Sequence, residues 1–234
     1  MIFVGIDDTD TIDSPGTNQV ARAIVSELGD PFFCLRIVRH QLLFDPRVPY
    51  TSKNSCCSLL VRSAQPGDAA LSELKRRLRE GLLRRFQPGS DPGLCVTEDV
   101  PPALVHFGRL CQQTVVGQND ARNLATRHGI SLEGLGGTED GVIGALAAVG
   151  LAVTGDDGRV VQIQQKPDDL TGPNSVAKIL GAGVDEIRHG NEIVTKGTVD
   201  VGKHLRPNLR GGRIVLSVEP SPCEPKGWAA IRQL

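Results

Sequence analysis

The chain has 234 residues, of which 26 are Lys or Arg and 27 are Asp or Glu, so its formal net charge is −1. Hydrophobic residues make up 39% of it, but only one Trp, one Tyr and six Phe are present. This composition supports a folded core and excludes both a uniformly basic nucleic-acid surface and a broad base-stacking platform. Any contact with nucleic acid is therefore expected to be local.

The composition also favours a cytoplasmic protein with reduced thiols. No stretch approaches the roughly 20 apolar residues of a membrane span. The apolar start at 1–6 runs directly into Asp7 and Asp8, where a signal peptide would continue with apolar residues. The six cysteines are too sparse for a disulfide scaffold and include no Cys-x-x-Cys pair.

In the first half of the chain, strands alternate with helices. A buried apolar run, helical spacing of apolar residues and intervening turn residues define the elements. They predict a strand at 1–6, a helix at 17–28, strands at 32–38 and 55–61, and a basic helix at 69–86. Pro and Gly are then concentrated in 87–102, which predicts a domain junction.

The second half contains a Gly-rich turn between two helices, followed by shorter elements. The predicted elements are helices at 119–128, 138–149 and 175–180, a hairpin turning at 155–158, and strands at 192–196 and 213–218. The whole pattern predicts an α+β fold of two α/β sandwich units with ferredoxin-like character. We place the units at 1–95 and 96–234, with interleaved units as the alternative.

The densest chemical signal is the segment 5–16, GIDDTDTIDSPG, which begins within the first strand. Its carboxylates belong to Asp7, Asp8, Asp10 and Asp13, and they repel one another unless a cation is bound. Mg²⁺ binds one or two carboxylates together with phosphate oxygens. The alternative is that these are solvated loop residues and helix caps. We expect Asp7 and Asp8 to bind metal, and Asp7, Asp8 and Asp10 to be catalytic.

A basic loop follows the second predicted strand. The segment 45–54, DPRVPYTSKN, is flanked by strands and preceded by Arg39. Cationic and amide groups in such a loop can bind a triphosphate, so we expect Arg39, Lys53 and Asn54 to contact a nucleotide. An ordinary solvated surface loop is the alternative.

Two other segments are candidates for binding phosphate. In the Gly-rich turn at 134–137, the start of a helix offers free N–H groups, so Gly136 and Gly137 are expected to contact the nucleotide unless the turn is an ordinary cap. The basic helix at 69–86 either contacts RNA or simply presents a solvated face, and we favour the solvated face. The five histidines show no metal-ligand spacing.

Four segments, in order, carry a resemblance to a known family. Segment 5–16 resembles the opening signature of the archaeal tRNA-isoleucine 2-agmatinylcytidine synthetases (TiaS). Segments 45–54, 141–150 and 206–213 are similar to later motifs of the same family. The resemblance implies a kinase-like and a ferredoxin-like domain, ATP with Mg²⁺, and activation of a cytosine oxygen by phosphate before agmatine displaces it.

The resemblance also implies roles for particular residues and reveals differences. Asp7, Asp8 and Asp10 would hold the metal and orient phosphates, and the basic loop would bind the nucleotide. The family continues into an OB-fold and a zinc ribbon that bind tRNA, whereas these 234 residues contain no Cys-x-x-Cys. The family's phosphorylated threonine has no clear counterpart, although Thr17 is near.

Three functional hypotheses follow. The first is a Mg²⁺-dependent, ATP-using, kinase-like enzyme that phosphorylates or activates an oxygen of a small-molecule or nucleoside acceptor, of phosphotransferase or ligase type. The alternatives are a tRNA cytidine-modifying enzyme that obtains its RNA-binding parts from a partner chain, and a non-catalytic nucleotide-binding module. No membrane partner is expected, and a homo-oligomer is left open.

Overall fold

In the computed structural model, the described residues are 1–48, 53–65, 67–164, 170–221 and 227–231. They form a mixed α/β fold with one large sheet, in agreement with the α+β class. The helices of this part are α1 (Thr17–Leu28), α2 (Asp68–Leu83), α3 (Pro102–Gln113), α4 (Gln118–Arg127), α5 (Gly141–Val153) and α6 (Val176–Gly181). The strands are β1 (Ile2–Asp7), β2 (Phe32–Gln41), β3 (Ser55–Ser63), β4 (Gly93–Thr97), β5 (Ser131–Gly134), β6 (Arg159–Ile163), β7 (Pro173–Ser175), β8 (Glu186–His189), β9 (Glu192–Ile193), β10 (Thr198–Asp200), β11 (Asn208–Arg210), β12 (Arg213–Pro220) and β13 (Trp228–Ala230).

The strands form a hydrogen-bonded path in the order β5-β4-β1-β3-β2-β6-β11-β12-β13-β10-β7, with β8 and β9 branching from β12. The N-terminal strand β1 lies between β3 and β4 and is antiparallel to both. Strand β6 joins the second half of the chain to the first by pairing with β2. The acidic segment that follows β1 therefore emerges from the interior of the sheet.

Helices cover both faces of this part of the sheet. One core contains Ile2, Val4 and Ile6 together with buried residues of α1 and α2. On the other face, the core is built from α3, α4 and α5 and includes Cys56 and Cys95 of the strands. Since side chains alternate along a strand, the odd-numbered residues of β1 point toward α5.

Helix α5 approaches the sheet unusually closely because glycines line the contact. A Cβ on Gly5 would lie 1.8 Å from the carbonyl oxygen of Ala145, and a Cβ on Gly93 would lie 2.1 Å from that of Gly141. No other residue type fits at such separations. The start of α5 is thereby packed against the ends of β1 and β4.

Strand β4 lies inside the segment 87–102 that the sequence predicts as a junction. It is buried and pairs with both β1 and β5. The division at residue 95 stays a prediction. Within the described part of the chain, no helix has the length and apolar character that crossing a membrane requires.

Candidate active site

Asp7, the last residue of β1, points toward α5, as the alternation along the strand requires. A Cβ built on Gly144 would lie 1.7 Å from Oδ2 of Asp7, so the carboxylate occupies the space beside this glycine. Burial raises the pKa of Asp7 well above its usual value, and the neighbouring charge of Asp8 raises it further. A bound cation would favour the charged form of this carboxylate.

Asp8 has left-handed backbone geometry, with φ of 50°. Its carbonyl oxygen accepts a hydrogen bond from the N–H of Asp91 at 3.1 Å, which holds this conformation. Asp is among the few side chains that tolerate such geometry, which is concentrated at functional sites. Burial, followed by the charges of Asp91, Asp10 and Asp140, raises the pKa of Asp8 to about 6. Asp8 is therefore a carboxyl group that can exchange a proton near neutral pH.

Asp10 performs a structural task as well as lining the site. Its Oδ1 accepts hydrogen bonds from the N–H of Thr17 at 3.2 Å and from the Thr17 hydroxyl at 2.8 Å. Thr17 begins α1, so this carboxylate satisfies an otherwise unpaired N–H and lies at the positive end of the helix dipole. The capping alternative for Asp10 is thus realised, and the carboxylate still lines the cavity described next.

The three aspartates open into a cavity of 330 Å³. This volume is at the lower end of the range for small-molecule and cofactor sites. Its polar and charged lining residues are Asp7, Asp8, Asp10, Thr17, Arg47, Lys53, Asn54, Ser55, Thr114, Gln118 and Asp140. Its remaining lining residues are Leu42, Leu43, Val48, Cys111, Val115, Val116, Gly117, Ile143 and Gly144.

The described ends of the basic loop line the same cavity as the acidic loop. Lys53 lines the cavity and is exposed, so its ammonium group can reach a ligand. Arg47 also lines the cavity but forms a two-point ion pair with Asp45, with distances of 2.8 Å for both Nε and Nη2. Asn54 donates from Nδ2 to the carbonyl of Leu43 at 2.8 Å, which fixes the loop. Residues 49–52 of the predicted loop lie outside the described residues.

Three predicted nucleotide contacts lie elsewhere. Arg39 lines a neighbouring cleft and donates from Nε to the hydroxyl of Ser55 at 2.9 Å. A Cβ on Gly136 would lie 2.4 Å from Phe86, and one on Gly137 would lie 1.8 Å from Oδ1 of Asp91. The glycines of this turn therefore allow close packing, and their contact with a nucleotide stays a prediction.

Sequence reasoning missed Gln118 and Asp140, two polar residues that line the cavity. Asp140 precedes α5, and its Oδ1 accepts a hydrogen bond from Nε2 of Gln118 at 3.0 Å. Arg122 in turn donates to Oε1 of Gln118 at 3.0 Å, which fixes the orientation of the amide. Glu139 and Asp140 follow directly after the predicted Gly-rich turn, which was the available signal for Asp140, whereas Gln118 had none.

Cys111 is a third missed residue, but its chemistry is limited. Burial raises the pKa of this thiol to about 12, so it is protonated at neutral pH. A protonated thiol is a weak nucleophile. Cys111 therefore contributes shape to the cavity.

The donor set fits a magnesium ion that arrives with a nucleotide. Among the described residues, no group of three or more His, Cys, Asp or Glu side chains is arranged to hold a metal by itself. Mg²⁺ needs only one or two carboxylates when phosphate oxygens and water complete its shell. Asp7 and Asp8 line the same cavity, and the charge of Asp8 raises the pKa of Asp7, so these two carboxylates are the candidates for that role.

The basic helix α2 has little uncompensated positive charge. Each of its arginines and those just beyond its end is in an ion pair: Arg76 and Arg77 with Glu73, Arg79 with Glu133, and Arg84 and Arg85 with Glu27. The helix therefore presents a largely neutralised, solvated face.

No protein-family model and no curated protein matches the chain. Solved structures do. The crystal structure of a tRNA fluorescent labeling enzyme is 24% identical, with a TM-score of 0.55, over 64% of this chain and 35% of that one. The TiaS–tRNA(Ile2)–ATP complex is also 24% identical, with a TM-score of 0.53, over 64% of this chain and 36% of that one.

A further complex, of TiaS with tRNA(Ile2), AMPCPP and agmatine, is 22% identical, with a TM-score of 0.53, over 63% of this chain and 35% of that one. At these identities the likeness concerns the fold. The chain spans about a third of the length of each of these proteins. Over 64% of its own length, the chain therefore has the fold of a part of TiaS.

Proposed function

We propose that this chain is the ATP-using catalytic part of a tRNA-modifying enzyme that activates a cytidine, as the TiaS resemblance implies. The observation that carries the proposal is the cavity that Asp7, Asp8 and Asp10 line together with Lys53. The likeness to TiaS in complex with tRNA(Ile2) and ATP supports it. This likeness supports a tRNA acceptor better than a free small-molecule acceptor.

Lys53 would bind the phosphates of ATP, with Arg47 beside it. A guanidinium or ammonium group next to a polyphosphate stabilises charge that accumulates during phosphoryl transfer. Asp7 and Asp8 would hold Mg²⁺, which would supply neutralisation of phosphate charge. Gly144 allows Asp7 to lie against the start of α5, so its position is set before any ligand arrives.

Asp8 and Asp10 would orient the reacting groups and accept a proton. Without a cation the pKa of Asp8 is raised to about 6. Bound Mg²⁺ would lower this pKa and keep the carboxylate charged, which is the form that can accept a proton. Asp10 is held by Thr17 and would act mainly in orientation. Thr17 lines the same cavity, so its hydroxyl lies among the groups that a nucleotide would meet.

The finer architecture and the cellular setting are parts of the same proposal. We infer two sandwich units of ferredoxin-like character that divide near residue 95, the first kinase-like and bearing the acidic loop. We also infer a cytoplasmic location, where ATP, Mg²⁺ and tRNA are available. RNA-binding parts would come from a partner chain or from a local surface of this one.

The test is incubation of the purified protein with ATP, Mg²⁺, tRNA and agmatine, followed by mass analysis of the nucleosides. An ATP-dependent mass change on cytidine is expected, and Asp8→Asn should abolish it. If ATP is consumed equally with a free nucleoside and without tRNA, the acceptor is a small molecule. If ATP binds but is not consumed under any condition, the chain is a nucleotide-binding module, and the catalytic proposal fails.

A further inference from the structure

A second, smaller cleft of 170 Å³ is lined by three arginines, Arg39, Arg159 and Arg210. They come from β2, β6 and β11, which are neighbours in the sheet. Arg39 lies opposite Arg159 in the β2–β6 register, and Arg159 lies opposite Asn208, two residues before Arg210 on β11. The arginines therefore converge because of the strand pairing, and no sequence motif joins them.

The acidic residues of this cleft are already engaged by donors of the protein. Asp157 lies 2.7 Å from Nδ1 of the fully buried His40 through Oδ1, and its Oδ2 accepts from Arg109 at 3.0 Å and Gln112 at 2.9 Å. Burial alone would raise the pKa of Asp157, but the His40 bond and the other donors outweigh it, and the net pKa is lowered. Its charge is thus balanced within the protein.

The other carboxylate, that of Asp156, is exposed and accepts a hydrogen bond from the backbone. Oδ1 of Asp156 accepts the N–H of Gly211 at 3.1 Å, which ties the turn before β6 to the turn after β11. The N–H of Gly212 also donates to the carbonyl of Gly155 at 2.8 Å. Both turns contain glycines with positive φ, and the two hydrogen bonds join these turns at the rim of the cleft.

Arg39 and Arg210, by contrast, are not in ion pairs with any carboxylate of the described residues. Among the described residues, the side chain of Arg39 donates to the hydroxyl of Ser55, and that of Arg210 donates to the carbonyl of its neighbour Leu209 at 2.9 Å. The arginines of α2 differ, since each of those is paired. Guanidinium groups without a carboxylate favour phosphate, which they can bind through two parallel hydrogen bonds.

The cleft adjoins the cavity that contains the aspartates. Ser55, which bonds Arg39, lines that cavity. On α3, Cys111 lines the cavity and the next residue, Gln112, lines the cleft. A ligand that fills the cavity and continues outward therefore meets the arginines.

We propose that this cleft binds a backbone phosphate of the tRNA strand whose nucleoside enters the cavity. The inference rests on the proposed function, because it assumes that the acceptor is part of an RNA chain. Such a site would be a local contact with nucleic acid, which is the kind of contact expected of a protein with a net charge near zero. Most protein–nucleic acid hydrogen bonds of this kind position the strand without reading its sequence.

The test compares tRNA binding by wild type, Arg210→Ala and Arg39→Ala with Arg210→Ala, at several salt concentrations. Arg62→Ala is the matched control, because Arg62 is an exposed arginine toward the opposite end of β3 from Ser55 and lacks an ion pair within the described part. We expect about ten-fold weaker tRNA binding for the double variant, and a salt slope reduced by about 0.7 to 0.9 per lost contact. Arg62→Ala should bind within two-fold of wild type.

Binding of ATP without tRNA, measured on the same variants, separates the two phosphate sources. A loss of tRNA affinity at least five-fold greater than the loss of ATP affinity supports the proposal. Equal losses would assign the cleft to the phosphates of ATP and overturn it. Wild-type tRNA binding that the double variant retains would overturn the cleft proposal, and so would absence of tRNA binding by the wild type, which would leave contact with tRNA to a partner chain. ATP consumption that is independent of tRNA would overturn the proposed function itself. Arg210→Ala alone keeps the Ser55 contact, so the test survives a folding defect of the double variant.

Discussion

The carboxylate of Asp7 lies in the space that a side chain at position 144 would need, with Oδ2 only 1.7 Å from a Cβ built on Gly144. The end of β1 and the beginning of α5 can therefore pack at this distance only because residue 144 has no side chain. Because α5 is buried along most of its length, it cannot shift outward easily. The position of the Asp7 carboxylate therefore depends on the packing of α5 against β1.

Replacement of Gly144 by Ala tests this coupling. The added methyl group must displace either the Asp7 carboxylate or α5, so we expect unfolding free energy to fall by about 1 to 3 kcal/mol, as for other overpacked cores. ATP turnover should fall at least about ten-fold, because small displacements of reacting groups reduce rates strongly. Urea unfolding and steady-state ATP assays measure the two effects.

Gly181→Ala provides the control for that substitution. Gly181 ends helix α6, and a Cβ there would meet no heavy atom within 4 Å. We expect unchanged turnover and equal or slightly higher stability, since Ala favours helix. Equal behaviour of the two variants would show that the contact between Asp7 and Gly144 has no consequence.

The raised pKa of Asp8 predicts a pH dependence of stability. Its folded pKa of about 6 exceeds the usual 3.8, so the folded state holds the proton more tightly than the unfolded chain does. This carboxyl group therefore lowers stability as pH rises from about 4 to about 6, and the penalty is complete above that window. With allowance for partial solvent exposure, we expect Asp8→Asn to raise the unfolding free energy at pH 8 by about 1 to 2 kcal/mol.

Asp13→Asn is the matched control, because Asp13 belongs to the same loop but is exposed and does not line the cavity. Its effect on the unfolding free energy at pH 8 should be smaller than that of Asp8→Asn. Added Mg²⁺ with ATP should stabilise wild type more than Asp8→Asn, since a ligand that binds only the folded state shifts the equilibrium. Lower stability of Asp8→Asn than of wild type at pH 8 would contradict the assignment.

The pKa shift of Asp157 has the opposite sign to that of Asp8. Its pKa is lowered in the folded protein despite burial, so its contribution to stability is present above its unfolded pKa of about 3.9 and disappears as pH falls through the lower folded value. Asp157→Asn should lower the unfolding free energy at pH 7 by about 2 to 3 kcal/mol, because His40 and Arg109 lose a charged acceptor. It should also weaken the loss of stability below pH 4.

Asp156→Asn serves for comparison, since an amide oxygen can still accept the N–H of Gly211. Its unfolding curve at pH 7 should remain close to that of wild type. If Asp157→Asn unfolds with wild-type stability, the buried contact with His40 does not hold the turn before β6.

Lys53 is expected to act on ATP binding. It is exposed at the cavity and has no acidic partner among the described residues, so its charge is available for phosphate. Lys53→Met should raise KM for ATP by about ten-fold, the loss of one charge-assisted contact. Lys203→Met, an exposed lysine outside the cavity, should leave KM unchanged. An unaltered KM in Lys53→Met would remove the basic loop from the site.

Elements with a local periodic pattern could be predicted from the sequence, as α1 and β1 show. Strand β4 was missed because Pro and Gly flank its five residues and suggested a junction, whereas pairing with β1 and β5 stabilises it. Strand order is a long-range property, so the sequence could not place Arg39 beside Arg159.

Some residues of the candidate site could likewise be predicted from the sequence, and others could not. Asp7, Asp8, Asp10, Lys53 and Asn54 are adjacent to predicted strand ends, and they line one cavity. Gln118 lies in a helix with no distinctive motif, and the role of Gly144 depends on the approach of α5 to β1. Close contact between segments that are distant in the chain leaves no periodic pattern in the sequence, so it could not be predicted.

ATP consumption with and without tRNA decides whether the aspartate cavity uses ATP on tRNA. The measurement uses wild type, Asp8→Asn and the control Asp13→Asn at saturating Mg²⁺. We predict that tRNA stimulates ATP consumption by wild type and Asp13→Asn, and that Asp8→Asn abolishes the activity. ATP consumption that is unaffected by tRNA, or that persists in Asp8→Asn, would show that the aspartate cavity does not use ATP on tRNA.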